Sequence, residues 1–172
     1  MAHHRGPVLV DTNVILECWR VGAWRGLTGG YAVETVEDCV IETQTGYQRR
    51  RAEQQMEQAA LVSSLAAVHK VADAERAAAV VRDALFAYLD PGEASLWAHA
   101  LTRADAWVLC GPDKASLRFG VRLGFRERLV ALETLLDAVG YRPKEALRSN
   151  YTAAWLAQAL NEIVVMEGPK RP

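Results

Sequence analysis

A short apolar run that ends in an acidic residue most constrains how this chain can fold. Val8, Leu9 and Val10 form the run, and Asp11-Thr12-Asn13 follows it directly. An uninterrupted apolar run of this length predicts a strand buried on both faces of a parallel sheet. Ligands bind at the carboxyl ends of such strands, so Asp11 is a candidate site residue. Asp is also a favoured N-cap, and the triplet alone leaves the helix cap and the functional site as open alternatives.

Further short apolar runs alternate with segments of helical periodicity, which predicts an α/β fold in one domain. Strands are predicted at 31–36, 68–71, 106–110 and 128–132. The predicted organisation is a tail at 1–7, a main domain at 8–142, a C-terminal amphipathic helix packed on that domain at 143–167 and a tail at 168–172.

The composition narrows the class of protein. The 172 residues are 51% hydrophobic, and 20 basic against 21 acidic residues give a net charge of −1. Any affinity for nucleic acid must therefore come from a local patch or from bound metal. No signal peptide or membrane-spanning segment is recognisable, so we expect a cytoplasmic protein with no membrane partner. Three widely spaced cysteines predict buried thiols rather than disulfides or a zinc site.

Three more acids lie at a predicted helix start or in a helix that follows a predicted strand. Asp113 follows the 106–110 strand, and Glu93 lies in the first turn of a helix after Pro91-Gly92. Glu42 lies in the helix after the 31–36 run; the alternatives for that acid are Glu34, Glu37 and Asp38. Each has a structural interpretation: Asp90 with Glu93 fits a capping box, Asp113 suits a helix start, and Glu42 can be a solvated helix residue.

Clustered carboxylates raise one another's pKa and destabilise a fold unless a cation neutralises them. Mg²⁺ and Mn²⁺ prefer oxygen ligands and retain several waters. Such an ion can activate water and stabilise the charge of a phosphoryl transition state. The acids therefore favour a Mg²⁺- or Mn²⁺-dependent site that hydrolyses phosphodiesters.

Three segments together resemble PIN domains, which include the toxin ribonucleases of VapBC-type toxin–antitoxin pairs. They are Val-Leu-Val-Asp-Thr-Asn-Val-Ile-Leu-Glu (8–17), Gly-Glu-Ala-Ser-Leu-Trp-Ala (92–98) and Trp-Val-Leu-Cys-Gly-Pro-Asp-Lys-Ala (107–115). The resemblance implies a central parallel sheet flanked by helices on both faces, a Mg²⁺ or Mn²⁺ site and cleavage of RNA. Carried over by position, it implies metal ligation by Asp11, Glu93 and Asp113, with Glu42 as a further catalytic acid and Thr12 and Asn13 supporting the site.

One departure from the family pattern follows Asp113. Many family members have a second acid a few residues later, whereas Lys114, Ala115, Ser116 and Leu117 stand here. We therefore expect one firmly bound metal. The main hypothesis is a metal-dependent endoribonuclease, with an antitoxin protein and a homodimer as the partners that the resemblance suggests. The alternative is a degenerate PIN domain that binds RNA or protein without catalysis.

Basic residues supply a candidate RNA-binding surface. Lys114, Arg118 and Arg122 are four residues apart and stripe one helix face, where they can contact phosphates or simply face solvent. Arg49–Arg51 can bind phosphates or an acidic partner, or can be an ordinary polar helix start. Trp24 lies near glycines and is the tryptophan predicted to be exposed, where it could stack a base.

Overall fold

The computed structural model describes residues 3–45 and 57–168. Its four strands are β1 (Val8–Val10), β2 (Val33–Val36), β3 (Ala67–His69) and β4 (Val108–Cys110). They form one sheet in the order β3-β2-β1-β4, and every pair is parallel. The predicted α/β class with a central parallel sheet is confirmed.

Helices cover both faces of the sheet. Within the described ranges they are α1 (Thr12–Arg20), α2 (Trp24–Gly30), α3 (Glu37–Gln44), α4 (Gln58–Ser64), α5 (Asp73–Arg82), α6 (Pro91–Ala100), α7 (Lys114–Arg122), α8 (Leu132–Ala138) and α9 (Ala153–Glu167). Short 3-10 helices at Ala84–Tyr88, Arg126–Arg128 and Ser149–Tyr151 complete the set.

The central strand β1 has a core on each side. Val8 and Val10 contact one core and Leu9 contacts the other, because successive side chains of a strand point to opposite faces. Helices α1, α2 and α8 contribute to the first core, and α6, α7 and α9 contribute to the second. Burial on both faces is why the β1 run is apolar at every position.

The strand order reverses beside β1. The chain passes from β1 outward to β2 and β3, and later returns to place β4 on the other side of β1. The carboxyl ends of β1 and β4 are adjacent, and the Asp11 N–H donates to the Cys110 carbonyl at 3.3 Å. A reversal of this kind opens a crevice at the carboxyl ends of the two strands, where ligands bind in open α/β sheets.

The predicted strand at 128–132 is wrong. The chain forms a 3-10 helix at Arg126–Arg128, and the only sheet-like pairing that follows is a single parallel bridge between Leu109 and Leu129. Helix α8 then begins at Leu132, so too few extended residues remain for a strand.

The predicted start of the last helix is also wrong. Helix α9 begins at Ala153 rather than Pro143, because the Thr152 hydroxyl caps it by accepting from the Trp155 N–H at 3.3 Å. The preceding residues form a loop and the 3-10 helix at Ser149–Tyr151.

Two further sequence predictions have different outcomes. Trp24 is 5% exposed and donates from Nε1 to Ser64 Oγ at 2.8 Å, so the prediction that it is exposed is wrong. Arg49–Arg51 lie outside the described residues. Within the part of the chain that is described, no helix is long and apolar enough to cross a membrane.

Candidate active site

Asp11 caps helix α1 and also lines the candidate site. It precedes α1 in extended conformation, and its Oδ1 accepts from the Val14 N–H at 2.8 Å. The other oxygen, Oδ2, faces Gly111 just beyond β4, where an added Cβ would lie only 2.9 Å away. The cap fixes the direction of the carboxylate, and the missing side chain at Gly111 leaves room for it.

Glu93 lies in the first turn of α6, whose first residue is Pro91. Against the larger effect of burial, the backbone of Asp90 lowers the pKa of this carboxylate, which is the direction expected of a residue in the first turn of a helix. The Asp90 side chain makes no cap hydrogen bond. The side-chain hydrogen bond that a capping box requires of Asp90 is therefore not formed.

Asp113 caps α7, three residues after the end of β4. Its Oδ1 accepts from the N–H groups of Ala115 at 2.7 Å and Ser116 at 3.1 Å. Its charge also raises the pKa of both Asp11 and Glu93. The structure thus brings the three predicted metal ligands into one electrostatic cluster, although they are 102 positions apart in sequence, from 11 to 113.

Glu42 is the acid that the third helix contributes. It accepts from the Thr12 hydroxyl at 2.7 Å through Oε2 and from the Gly92 N–H at 2.9 Å through Oε1. Glu34 and Asp38, two of the sequence alternatives, are ion-paired elsewhere with Arg103 and Arg76.

The two predicted supporting residues differ in what they contact. Thr12 links Glu42 to the start of α1 through its hydroxyl. Asn13 lines the site, and its backbone carbonyl accepts from the Tyr151 hydroxyl at 3.2 Å. Thr12 therefore contacts the site through a side-chain hydrogen bond, whereas the hydrogen bond of Asn13 is through its backbone.

A cavity of about 220 Å³ lies between Asp11, Glu42 and Glu93, and Asp113 is not one of its lining residues. Its walls are formed by Asp11, Thr12, Asn13, Glu42, Asp90, Pro91 and Glu93. Asp90 is the residue that the sequence reasoning missed as part of the site. Its position before a proline is typical of a helix start. Its place in the cavity wall depends on how α6 packs against α1 and α3, which no local sequence pattern indicates.

Burial and mutual repulsion hold protons on two of the carboxylates. The pKa of Asp11 is raised from 3.8 to about 7, first by burial and then by the charges of Asp113 and Glu42, against the opposing Val14 hydrogen bond. The pKa of Glu93 is raised to about 8, again first by burial and then by Asp113, Asp11 and Asp90. In the absence of a cation, both groups are partly protonated near neutral pH.

Another buried acid on α1 shows what these carboxylates lack. Burial also raises the pKa of Glu17, but hydrogen bonds and charges from Arg20 and Arg148 outweigh it, and the net direction is downward. Among the described residues, no lysine or arginine forms an ion pair with Asp11, Glu93 or Asp113. A cation from solution would supply the missing charge.

The spacing of the acids indicates how such a cation would be held. Over the described ranges, the only group of three or more potential ligands within 4.8 Å of one another is Glu34, His69 and His99. Asp11, Glu93 and Asp113 are therefore more widely spaced as a set. An ion that keeps several of its waters fits this arrangement, with direct bonds to some acids and water-mediated contacts to others.

The predicted RNA-binding stripe lies on α7, and its basic residues form ion pairs with acids of α9 and with Asp83. Lys114 pairs with Glu162 at 3.0 Å, Arg118 pairs with Glu167, and Arg122 pairs with Asp83 and Glu167 at 2.7 and 2.8 Å. These pairs are partly exposed and therefore weak, so a phosphate can compete for the cations. The stripe is not a surface of net positive charge.

No family model, curated protein or solved structure matches the chain. The resemblance to PIN domains rests on the three sequence segments and stays a prediction.

Proposed function

We propose that the protein is a Mg²⁺- or Mn²⁺-dependent phosphodiesterase, and specifically an endoribonuclease of the PIN type. The observation that carries the proposal is that Asp11 and Glu93 line the same cavity and that neither forms an ion pair with a described lysine or arginine. Both are buried and both have a raised pKa. Their place at the strand reversal beside β1 and β4 supports a ligand site rather than incidental burial.

The carboxylates are oriented before any ligand arrives. Backbone N–H groups hold Asp11 and Asp113, and the Thr12 hydroxyl together with the Gly92 N–H holds Glu42. Fixed acceptors of this kind reduce the reorganisation needed when charge develops during a reaction. When bound, the metal ion would supply an acidified water and neutralise charge on the phosphoryl oxygens.

The donor set fits a hard divalent cation. Every side-chain group facing the cavity that can donate electrons to a metal is a carboxylate, hydroxyl or amide oxygen, from Asp11, Thr12, Asn13, Glu42, Asp90 and Glu93. Oxygen ligands favour Mg²⁺ and Mn²⁺ over softer metals. RNA as the substrate, an antitoxin as a protein partner and a homodimer as the assembly follow from the family resemblance and belong to this proposal.

Cleavage of a labelled single-stranded RNA, with Mg²⁺ or with EDTA, tests the function. We expect cleavage only with the metal, and a loss of more than about 100-fold for Asp11→Asn and for Glu93→Gln. Asp137→Asn is the matched control, because Asp137 is an exposed acid on α8 away from the cavity. Equal cleavage by wild type and Asp11→Asn, with circular dichroism showing both folded, would refute the proposal.

The second candidate is a binding module without catalysis. Two observations favour it: the wide spacing of the three acids and the absence of a second acid in the four residues after Asp113. A binding module would retain RNA in a filter-binding assay but would neither cleave it nor be stabilised by Mg²⁺. Mg²⁺-dependent cleavage that Asp11→Asn removes would exclude this candidate.

A further inference from the structure

A second group of potential metal ligands lies apart from the acid cavity. Glu34 comes from β2, His69 from the end of β3 and His99 from α6, and their ligand atoms all lie within 4.8 Å of one another. None of the three lines the cavity around Asp11. The histidines lie 30 positions apart on different elements, so no local sequence pattern indicates this group.

The chemistry of this group differs from that of the acid cavity. Two imidazole nitrogens and one carboxylate oxygen suit Zn²⁺, Ni²⁺ or Co²⁺, whereas Mg²⁺ prefers oxygen ligands alone. Glu34 is 8% exposed, and His69 and His99 are half-buried. The group is therefore largely shielded by protein while an ion can still reach it through the histidines.

In the structure, the guanidinium of Arg103 supplies the positive charge beside Glu34, His69 and His99. Its Nη1 donates to Glu34 Oε2 and lies 3.2 Å from His99 Nε2, while His69 Nε2 lies 2.6 Å from the same Glu34 oxygen. The guanidinium thus contacts two of the three potential ligands. A metal ion bound to all three would have to displace that end of Arg103.

Asp105 makes the displacement feasible. It accepts from Arg103 Nε at 2.9 Å and from Nη2 at 2.6 Å, and neither nitrogen is the one that contacts Glu34. The guanidinium is rigid and planar, so Nη1 leaves Glu34 and His99 only if Arg103 and Asp105 move together. The Asp105 side chain is 44% exposed, so the ion pair can shift towards solvent without being broken.

The histidine rings impose a conformational cost. They are stacked, with centroids 3.8 Å apart and planes 17° apart. A metal ion lies close to the plane of each imidazole that binds it, and two nearly parallel planes do not meet within bonding distance. One ring must turn out of the stack, so the affinity should be lower than in a preformed site.

We propose that Glu34, His69 and His99 form a binding site for a divalent transition-metal ion of the Zn²⁺ class, with Arg103 as the internal cation that the metal displaces. The site is independent of the proposed nuclease activity, because it shares no residue with the acid cavity. Zn²⁺ and Mg²⁺ would thus bind at different places in one chain.

Competition of the full chain with a chromophoric zinc chelator tests the site, in a background carrying His3→Ala and His4→Ala. We expect one Zn²⁺ per chain, at least tenfold weaker binding for His69→Gln and for His99→Phe, and at least tenfold tighter binding for Arg103→Gln. The phenyl ring of His99→Phe keeps the stack on His69 without offering a ligand. If Arg103→Gln fails to fold, the two histidine variants decide the question on their own.

The acid-cavity variant Asp11→Asn is the matched control and should bind Zn²⁺ like the background protein. Zinc should also shift the ¹⁵N signals of the His69 and His99 imidazoles in NMR spectra. Fewer than one Zn²⁺ per chain, affinity unchanged in both histidine variants, or zinc binding lost in Asp11→Asn instead would overturn the proposal.

Discussion

Replacing Asp11 by asparagine should change how the stability of the metal-free protein depends on pH. The pKa of Asp11 is about 7 in the folded protein, against 3.8 for the unperturbed group. Its contribution to stability is therefore fully present below about pH 4 and is lost as the pH rises through about 7. Asparagine keeps an oxygen that can accept from the Val14 N–H but does not ionise.

The size of the effect follows from the two pKa values. Each unit of pKa difference corresponds to 1.36 kcal/mol, so the wild type should lose about 2–3 kcal/mol relative to Asp11→Asn between pH 5 and pH 8. For a chain of this length, that difference moves the Tm by about 5–10 °C. The same carboxylate should allow Mg²⁺ to restore stability at pH 8 in the wild type but not in the variant.

Thermal unfolding in EDTA at pH 5, 6, 7 and 8, followed by circular dichroism, measures this difference. Adding Mg²⁺ at pH 8 completes the test. Asp137→Asn is the control, and its curve should run parallel to that of the wild type. A difference between wild type and Asp11→Asn that stays constant from pH 5 to pH 8 would show that Asp11 does not carry a raised pKa, and the reasoning would fail.

Three other perturbations give distinct outcomes. In a calorimetric titration with Mg²⁺, Gly111→Ala should weaken binding at least tenfold, because its Cβ would lie 2.9 Å from Asp11 Oδ2. Gly29→Ala in α2, where a Cβ meets nothing within 4 Å, should leave Mg²⁺ binding unchanged, and equal binding by both variants would contradict the role of Gly111. Arg122→Ala should lower the free energy of unfolding in urea by less than about 1 kcal/mol, since its ion pairs are partly exposed, and a larger loss would contradict the weak pairing inferred for the α7 stripe. Burial and the charges of His69 and Arg103 lower the pKa of His99. The stability that depends on neutral His99 should therefore be complete above about pH 6.5 and fall as the pH drops below that value. His99→Phe should reduce this fall of the Tm at acid pH, and an unchanged fall would contradict the lowered pKa.

The sequence predicted those parts of the fold that depend on local pattern. The apolar runs around Val8–Val10 and Val108–Cys110 correctly placed β1 and β4, because burial between layers of helices requires apolar side chains at successive positions. The run at 128–132 has the same character but forms no strand, because the start of α8 takes its last residue. Apolar content alone does not distinguish an edge strand from a short buried connection.

The part of the candidate site that lies at the ends of strands could also be predicted from the sequence. Asp11 and Asp113 follow parallel strands, so their proximity follows from the topology of the sheet. Asp90 and the cluster of Glu34 with the two histidines depend on how α6 packs across the sheet, and no local pattern encodes that packing. The pairing of the α7 stripe with acids of α9 was missed in the same way, since the partners lie 45 to 49 positions away in sequence.

Crystals of the wild-type protein soaked in Mn²⁺ would test the central claim most directly, by the position of the anomalous scattering peak. We expect a peak in the cavity between β1 and α6, within about 2.5 Å of a carboxylate oxygen of Asp11 or Glu93, and its loss in crystals of Asp11→Asn. Fully occupied Mn²⁺ elsewhere with none at these carboxylates would contradict the account.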